Sequence, residues 1–251
     1  MHGRRILHML KIEKLSKTYD TVSPPILSAL DLVVESGQSV SIQGASGCGK
    51  STLLSLIAGF DNPTYGSIAI NDYCLRPVKA PAHEIDNNKS ASQQSKYVDE
   101  FRKNELGIVF QSYNLFDCFN AWDNIAFTAR LKGNYNKHYQ TELMQQLNIL
   151  QLAKKPISQL SGGEQQRCAI ARALVHKPSL VLADEPTGNL DEATSQAVSD
   201  ILFDVCRKMN TTLLVVTHSA DVALKADNPL WLHAGKLYTD KALTTPWSHS
   251  P

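Results

Sequence analysis

No apolar run in this 251-residue chain approaches the ~20 residues needed to cross a bilayer. The first ten residues, Met1–Leu10, include two arginines but no apolar core of the kind a secretory signal requires. A cytosolic chain is therefore expected, and any work at a membrane must pass through a partner that spans it. A surplus of one charge is missing too, since 25 basic residues face 24 acidic ones. Nucleic-acid-binding domains advertise a basic excess or stripe, and none is visible, so no nucleic-acid partner is expected. Cysteine is sparse and dispersed. Cys48, Cys74, Cys118, Cys168 and Cys206 form no C-x-x-C pair, which disfavours a disulfide framework or a zinc site. Internal repeats are absent. The length fits one compact α/β unit with a sizeable core.

What is present is organised around Gly44-Ala45-Ser46-Gly47-Cys48-Gly49-Lys50-Ser51-Thr52, a G-x-x-x-x-G-K-[ST] loop. A strand-like run, Ser39–Gln43, precedes it, and an apolar helix, Leu53–Ala58, follows with Gly59 as its stop. The glycines let backbone N–H groups turn inward around an anion. The helix points its partly positive N-terminus at the same place. Lys50 is placed to reach β/γ-phosphates and the Ser51 hydroxyl to ligate Mg²⁺. Cys48 lies inside the loop, where alkylation or oxidation would block nucleotide; a tolerated small residue is the plainer reading.

Upstream, Leu10–Tyr19 alternates apolar and polar residues, and Ile26–Glu35 does so less cleanly, with a turn at Ser36-Gly37. Gly66–Asn71 alternates as well, so a small antiparallel sheet is expected to flank the loop. Pro77–Lys96 is rich in Pro, Asn, Lys, Ser and Gln and reads as a solvated or mobile insert. Tyr97–Glu105 reads as a charged helix leading into the strand Leu106–Phe110. Residues 111–160 look mostly helical, with Leu143, Leu147, Leu150 and Leu152 facing the core. After that come a helix at Glu164–His176, a continuous apolar strand at Ser179–Ala183, a helix at Glu192–Met209 and a second apolar strand at Thr212–Val216. Leu230–His233 followed by Gly235 closes the pattern, and Thr244–Pro251 reads as a frayed tail.

Two further constellations carry chemistry. The strand Leu180–Ala183 runs into Asp184-Glu185-Pro186. Ligands of parallel sheets bind at the carboxyl ends of strands, which puts Asp184 where a carboxylate holds Mg²⁺. Glu185 is then the group to polarise a water attacking the γ-phosphate. Leu160-Ser161-Gly162-Gly163-Glu164 places a hydroxyl and two glycines at a helix start, a second anion-binding arrangement. One phosphate loop does not need two such sites. Two make sense if the second serves a nucleotide held by another copy.

In this order, the phosphate loop, Leu-Ser-Gly-Gly-Glu-Gln-Gln-Arg167 and Leu-Val-Leu-Ala-Asp-Glu-Pro-Thr-Gly-Asn-Leu-Asp191 resemble the ATP-binding cassette (ABC) ATPases over roughly residues 10–237. The resemblance implies an α/β P-loop NTPase (RecA-like) fold: a parallel-sheet core, an antiparallel β subdomain and a helical signature subdomain. One domain is implied, with residues 10–110 and 165–237 as core plus β subdomain, 111–164 as helical subdomain, 77–96 as flexible insert, and tails at 1–9 and 238–251. By the same resemblance, Tyr19 matches the aromatic that stacks on adenine. Gln111 matches the glutamine that contacts Mg²⁺ and water and senses a membrane partner. Asp191 matches the dimer-loop aspartate, and His218 the switch histidine at the γ-phosphate. The catalytic set is then Glu185, His218 and Gln111, and the metal set Ser51, Gln111 and Asp184. ATP and Mg²⁺ lie between two subunits, Ser161, Gly162 and Gly163 of one completing the site of the other.

The wording around Asp184 and Ser161 looks most like the branch of macrolide-exporter, lipoprotein-releasing and cell-division-associated cassettes. The long Pro77–Lys96 segment departs from it. The implied function is the ATP-hydrolysing subunit of a transporter, dimeric, driving transmembrane permease subunits from the cytoplasmic face of the cell membrane. Two alternatives stay open: an ATPase transmitting mechanical signals to envelope proteins without transport, and a soluble cassette of DNA repair or translation. Neither the coiled-coil insertion of the repair type nor the paired cassettes of the translation type is present in the sequence.

Overall fold

The computed structural model describes residues 8–20, 24–75 and 91–239. The first strands are β1 (His8–Lys17), β2 (Leu27–Glu35) and β3 (Ser39–Gln43), and helix α1 (Lys50–Ile57) follows the phosphate loop. Strands β4 (Tyr65–Ile70) and β5 (Tyr73–Leu75) precede helix α2 (Ala91–Glu105) and strand β6 (Leu106–Val109). Helices α3 (Ala121–Lys132), α4 (Lys137–Gln146) and α5 (Gly162–Leu174) lead to β7 (Leu180–Asp184). Then come α6 (Glu192–Lys208), β8 (Thr212–Thr217), a short α7 (Ala220–Ala223), β9 (Asn228–His233) and β10 (Lys236–Thr239).

The strands form two sheets. One is antiparallel, in the order β2-β1-β4-β5. The other runs β10-β9-β3-β8-β7-β6, parallel throughout except for the β10 edge. Side chains alternate across the parallel sheet, so its apolar strands feed two cores at once. Val181, Ala183, Leu213 and Val215 pack with Ile170, Leu174, Val198 and Leu202 from α5 and α6. Leu180, Leu182, Leu214 and Val216 face the other way, against Leu53, Leu56 and Ile57 of α1 and the inner side of the antiparallel sheet. All six residues of β8 are buried, as its unbroken apolar run requires.

The alternation along β1 is broken more than once: Met9 and Leu10 are both buried, and the register against β2 shifts between His8 and Leu10, between Ile12 and Leu15, and between Leu15 and Lys17. Ile12 and Leu15 are both buried although three residues apart, because the register shifts between them and Lys14 takes a left-handed backbone (φ 48°). Such a bulge re-aims the residues beyond it, and Lys17 ends up only 8% exposed.

Several boundaries differ from those read in the sequence. Residues 91–96, expected in the polar insert, form the first turns of α2; residues 77–90 lie outside the described residues. His8, Met9, Tyr238 and Thr239, expected in tails, pair in β1 and β10. Residues 111–120 form turns and bends, and α3 starts only where Asn120 caps it by accepting from the Asp123 N–H (2.8 Å). Beyond α4 the chain makes two 3₁₀ turns, Leu150–Leu152 and Ile157–Gln159. Leu143, Leu147 and Leu152 are buried as expected, whereas Leu150 is only partly so.

Candidate functional site

Register brings the site together. Gln43 at the end of β3 pairs with Thr217, Asp184 pairs with Val216, and Val109 pairs with Ala183. The segments leaving these strand ends are the phosphate loop, His218, Glu185 and Gln111, so residues up to 174 positions apart in sequence emerge on one edge. They line an open cleft of about 430 Å³ that includes Ser46, Gly47, Gly49, Lys50, Ser51, Thr52, Gln111, Glu185 and His218, with Ile26 on its rim.

Within the phosphate loop, Ala45, Ser46 and Gly47 are exposed and Gly49 is buried at φ 106°, a backbone only glycine adopts easily. Gly49 opens α1 without any side-chain cap, and no acidic residue occupies the helix's first turn, so its N–H groups are free to meet an anion. Lys50 Nζ folds back onto the carbonyls of Gly44 (2.7 Å) and Ala45 (3.0 Å). Those neutral acceptors are weaker partners for an ammonium than a phosphate oxygen. Gly44 itself is buried beside Cys48, where an added Cβ would stand 2.6 Å from Sγ.

Ser51 Oγ donates to Asp184 Oδ1 at 3.3 Å. Burial is the main cause holding the Asp184 carboxyl above the usual range, and the neighbouring Glu185 charge adds to it; Ser51 and Lys50 pull the other way. A hydroxyl and a carboxylate side by side at a phosphate loop are the hard oxygen donors that suit Mg²⁺. Few protein ligands fit that ion, which keeps phosphates and waters in its shell; among the described residues no cluster of three or more His, Cys, Asp or Glu exists.

Glu185 has a left-handed backbone (φ 44°), its N–H bonded to the Val216 carbonyl at 3.0 Å. Its Oε2 accepts from the His218 backbone N–H (3.1 Å) and lies 2.9 Å from His218 Nδ1. Among the described residues nothing bonds Oε1, the oxygen left to meet a water. Gln111 is tied to Asn189 twice: its Nε2 donates to Asn189 Oδ1 (3.2 Å), and Asn189 Nδ2 donates to the Gln111 carbonyl (3.0 Å). Asn189 was not singled out from sequence, where one asparagine in Pro-Thr-Gly-Asn-Leu-Asp carries no signal of its partner. Just beyond Gln111, Tyr113 and Asn114 are both left-handed, and the buried Arg172 of α5 donates to their carbonyls (2.9 and 2.5 Å).

Tyr19 is 62% exposed, its hydroxyl donating to Asp61 (2.9 Å). Ser161, Gly162, Gly163 and Asp191 are not in the lining of the cleft. Ser161 caps α5: its Oγ accepts from the Glu164 N–H (3.4 Å), and Glu164 returns the contact by accepting from the Ser161 N–H (2.8 Å). That backbone bond is the main cause holding the Glu164 carboxyl below its usual range. Gly163 is buried against α6, where a Cβ would meet Thr194 Cγ2 at 2.5 Å. Asp191 caps α6 by accepting from the Thr194 N–H (3.0 Å). The signature turn is thus fixed by its capping box, with Ser161 exposed and outside the lining of its own chain's phosphate cleft.

A phosphate loop, a strand-end acid pair and a histidine on one sheet edge define an ATP-hydrolysing cassette. The protein-family model for the ABC transporter matches residues 27–188, and the chain belongs to that family. It is 40% identical over 236 residues to the lipoprotein-releasing system ATP-binding protein LolD of Legionella pneumophila (strain Lens), covering 92% of this chain and 97% of that one. It is 38% identical over 234 residues to LolD of Xanthomonas axonopodis pv. citri (strain 306), covering 91% and 90%. Among solved structures it resembles the dimeric bacterial ABC transporter cassette MJ0796 (TM-score 0.73, 29% identity, 92% of this chain and 98% of that one). A post-hydrolysis state of the same cassette, bound to ADP and Pi, matches at TM-score 0.74 and 30% identity, over 92% and 98%. The chain is an ABC transporter ATP-binding subunit and an ATPase.

Proposed function

We propose that two copies of this chain close around two Mg-ATP and that their cycle drives a transmembrane permease releasing lipoproteins from the membrane. The observation that carries the two-copy reading is the split site: the cleft is lined by the phosphate loop, Gln111, Glu185 and His218, while the capped Ser161-Gly162-Gly163 turn is no part of that lining. The dimeric state of the MJ0796 cassette supports it. The lipoprotein-releasing relatives, matched along nearly their whole length, support the substrate class. Among the described residues no helix is long and apolar enough to cross a membrane, so contact with the bilayer falls to the partner, at the cytoplasmic face of the inner membrane.

Ser51 and Asp184 would hold Mg²⁺, with Gln111 contacting it or its water; the ion supplies charge neutralisation to the phosphates. Lys50 exchanges its two loop carbonyls for phosphate oxygens. His218, its Nδ1 engaged by Glu185, keeps Nε2 for the γ-phosphate. Glu185 orients a water through its second oxygen. Ser161 and Gly163 of the second copy present the helix α5 N-terminus to that phosphate from across the interface, and Asp191 lies beside them. Tyr19 stacks on the adenine. Hydrolysis removes the bridging charge and the pair opens.

The test is the Glu185→Gln full chain in size-exclusion chromatography with Mg-ATP, followed by co-purification from detergent-solubilised membranes. The expected result is an ATP-dependent dimer of very slow turnover that carries a multi-span permease and retained lipoprotein. A protein that binds nucleotide yet stays monomeric at high concentration contradicts the composite site.

A further inference from the structure

Tyr19 is exposed yet not loose. Its hydroxyl donates to Asp61 Oδ2 (2.9 Å), while Asp61 Oδ1 accepts from Lys17 Nζ (2.6 Å). The same ammonium donates to the Asn62 carbonyl (2.8 Å) and stands 4.6 Å from the centroid of the Tyr19 ring. Lys17 is 8% exposed, delivered there by the bulge at Lys14. The ring is therefore held at its rim by a hydrogen bond and on one face by a cation. One face remains for a planar ligand.

Asp61 belongs to the turn that folds back on α1, its N–H reaching the Ser55 carbonyl at 3.3 Å. Burial raises its carboxyl, but the bonds from Lys17, Asn62 and Tyr19 outweigh that and leave it below the usual range, hence ionised at neutral pH. The phosphate loop and the turn that carries the anchor of the ring thus flank opposite ends of one short helix.

We propose that Lys17 and Asp61 are positioning residues for the nucleotide base: they hold Tyr19 with one face covered and one open, at a set separation from the phosphate loop. A purine then stacks without first ordering the ring, which removes an entropic cost of binding. The inference rests on the reading of Tyr19 as the base-stacking residue.

Calorimetric titration of the full-length protein with ADP, and separately with pyrophosphate, tests it. ADP carries the base; pyrophosphate engages the loop alone. Tyr19→Ala should weaken ADP about tenfold. Asp61→Ala and Lys17→Met should each weaken ADP about three- to tenfold, with pyrophosphate unchanged in all three. Lys17→Arg and Asp61→Asn, which keep a donor or acceptor in place, should recover part of the loss and guard against misfolding in the harsher variants. Adding Asp61→Ala to Tyr19→Ala should cost nothing further. Equal weakening of ADP and pyrophosphate by Asp61→Ala would mean a structural role and overturn the proposal, as would an undiminished effect in the Tyr19→Ala background. If Tyr19→Ala leaves ADP affinity intact, the stacking reading itself fails and the positioning role falls with it, while the phosphate-loop site stands.

Discussion

Glu185 shows what its neighbours demand of one residue. A side chain with a Cβ is disfavoured in the left-handed region by about 1 kcal/mol or more, yet Glu185 is held there at φ 44° by its N–H bond to Val216 and by the Gly188 N–H bonded to its carbonyl (3.0 Å). That backbone aims the carboxylate at His218. Strain of this kind concentrates at working sites, so removing the side chain and relaxing the backbone should separate stability from activity. Glu185→Gly should unfold in urea at higher denaturant than Glu185→Ala, by about 1 kcal/mol, although neither hydrolyses ATP. Equal stability would show that the left-handed backbone carries no strain. The sequence disclosed the identity of this residue, because Asp184-Glu185 ends an apolar strand. Its backbone angle depends on a hydrogen bond to Val216, 31 positions downstream, and was not legible.

Helix α5 links three features: Ser161 and Gly163 at its start, Arg172 gripping the turn after Gln111, and His176 just past its end. The His176 ring is 3% exposed, with Nε2 donating to the Leu106 carbonyl at 3.0 Å, and burial is the main cause pushing its pKa down to about 4. The unfolded chain titrates this group near 6.5, so between pH 6.5 and about 4 it binds a proton that the folded chain refuses. Stability is full above that window and falls as pH falls through it, by about 3 kcal/mol in total. Urea unfolding across this range should show the loss, and His176→Gln should flatten it; matching slopes for the two proteins would remove His176 as the cause. The helix itself is readable from the hydroxyl and two glycines at its start. The grip of Arg172 on Tyr113 and Asn114 was not, since nothing in local spacing marks a contact 58 residues away. Likewise, β1 read as a plain alternating strand, and only pairing with β2 and β4 reveals the shift that turns Lys17 inward.

At the scale of the whole molecule, one sheet edge gathers the phosphate loop, Gln111, Asp184, Glu185 and His218, while Ser161 is displayed outside the cleft. On the proposed two-copy reading, a cassette built this way holds half of each ATP site. The motifs made that division legible, because two anion-binding turns in one chain exceed the need of one nucleotide, and the fold keeps them apart. Subunit mixing tests the division most directly. Lys50→Ala disables the phosphate loop in its own chain, and Ser161→Arg disables what that chain offers its neighbour. Each variant alone should be inactive. A mixed dimer has one site assembled from the intact Lys50 of one chain and the intact Ser161 of the other, so mixing the two purified proteins should restore ATP hydrolysis well above either alone. If the mixture stays as inactive as its parts while both variants fold and associate, Lys50 and Ser161 do not serve one site across two chains.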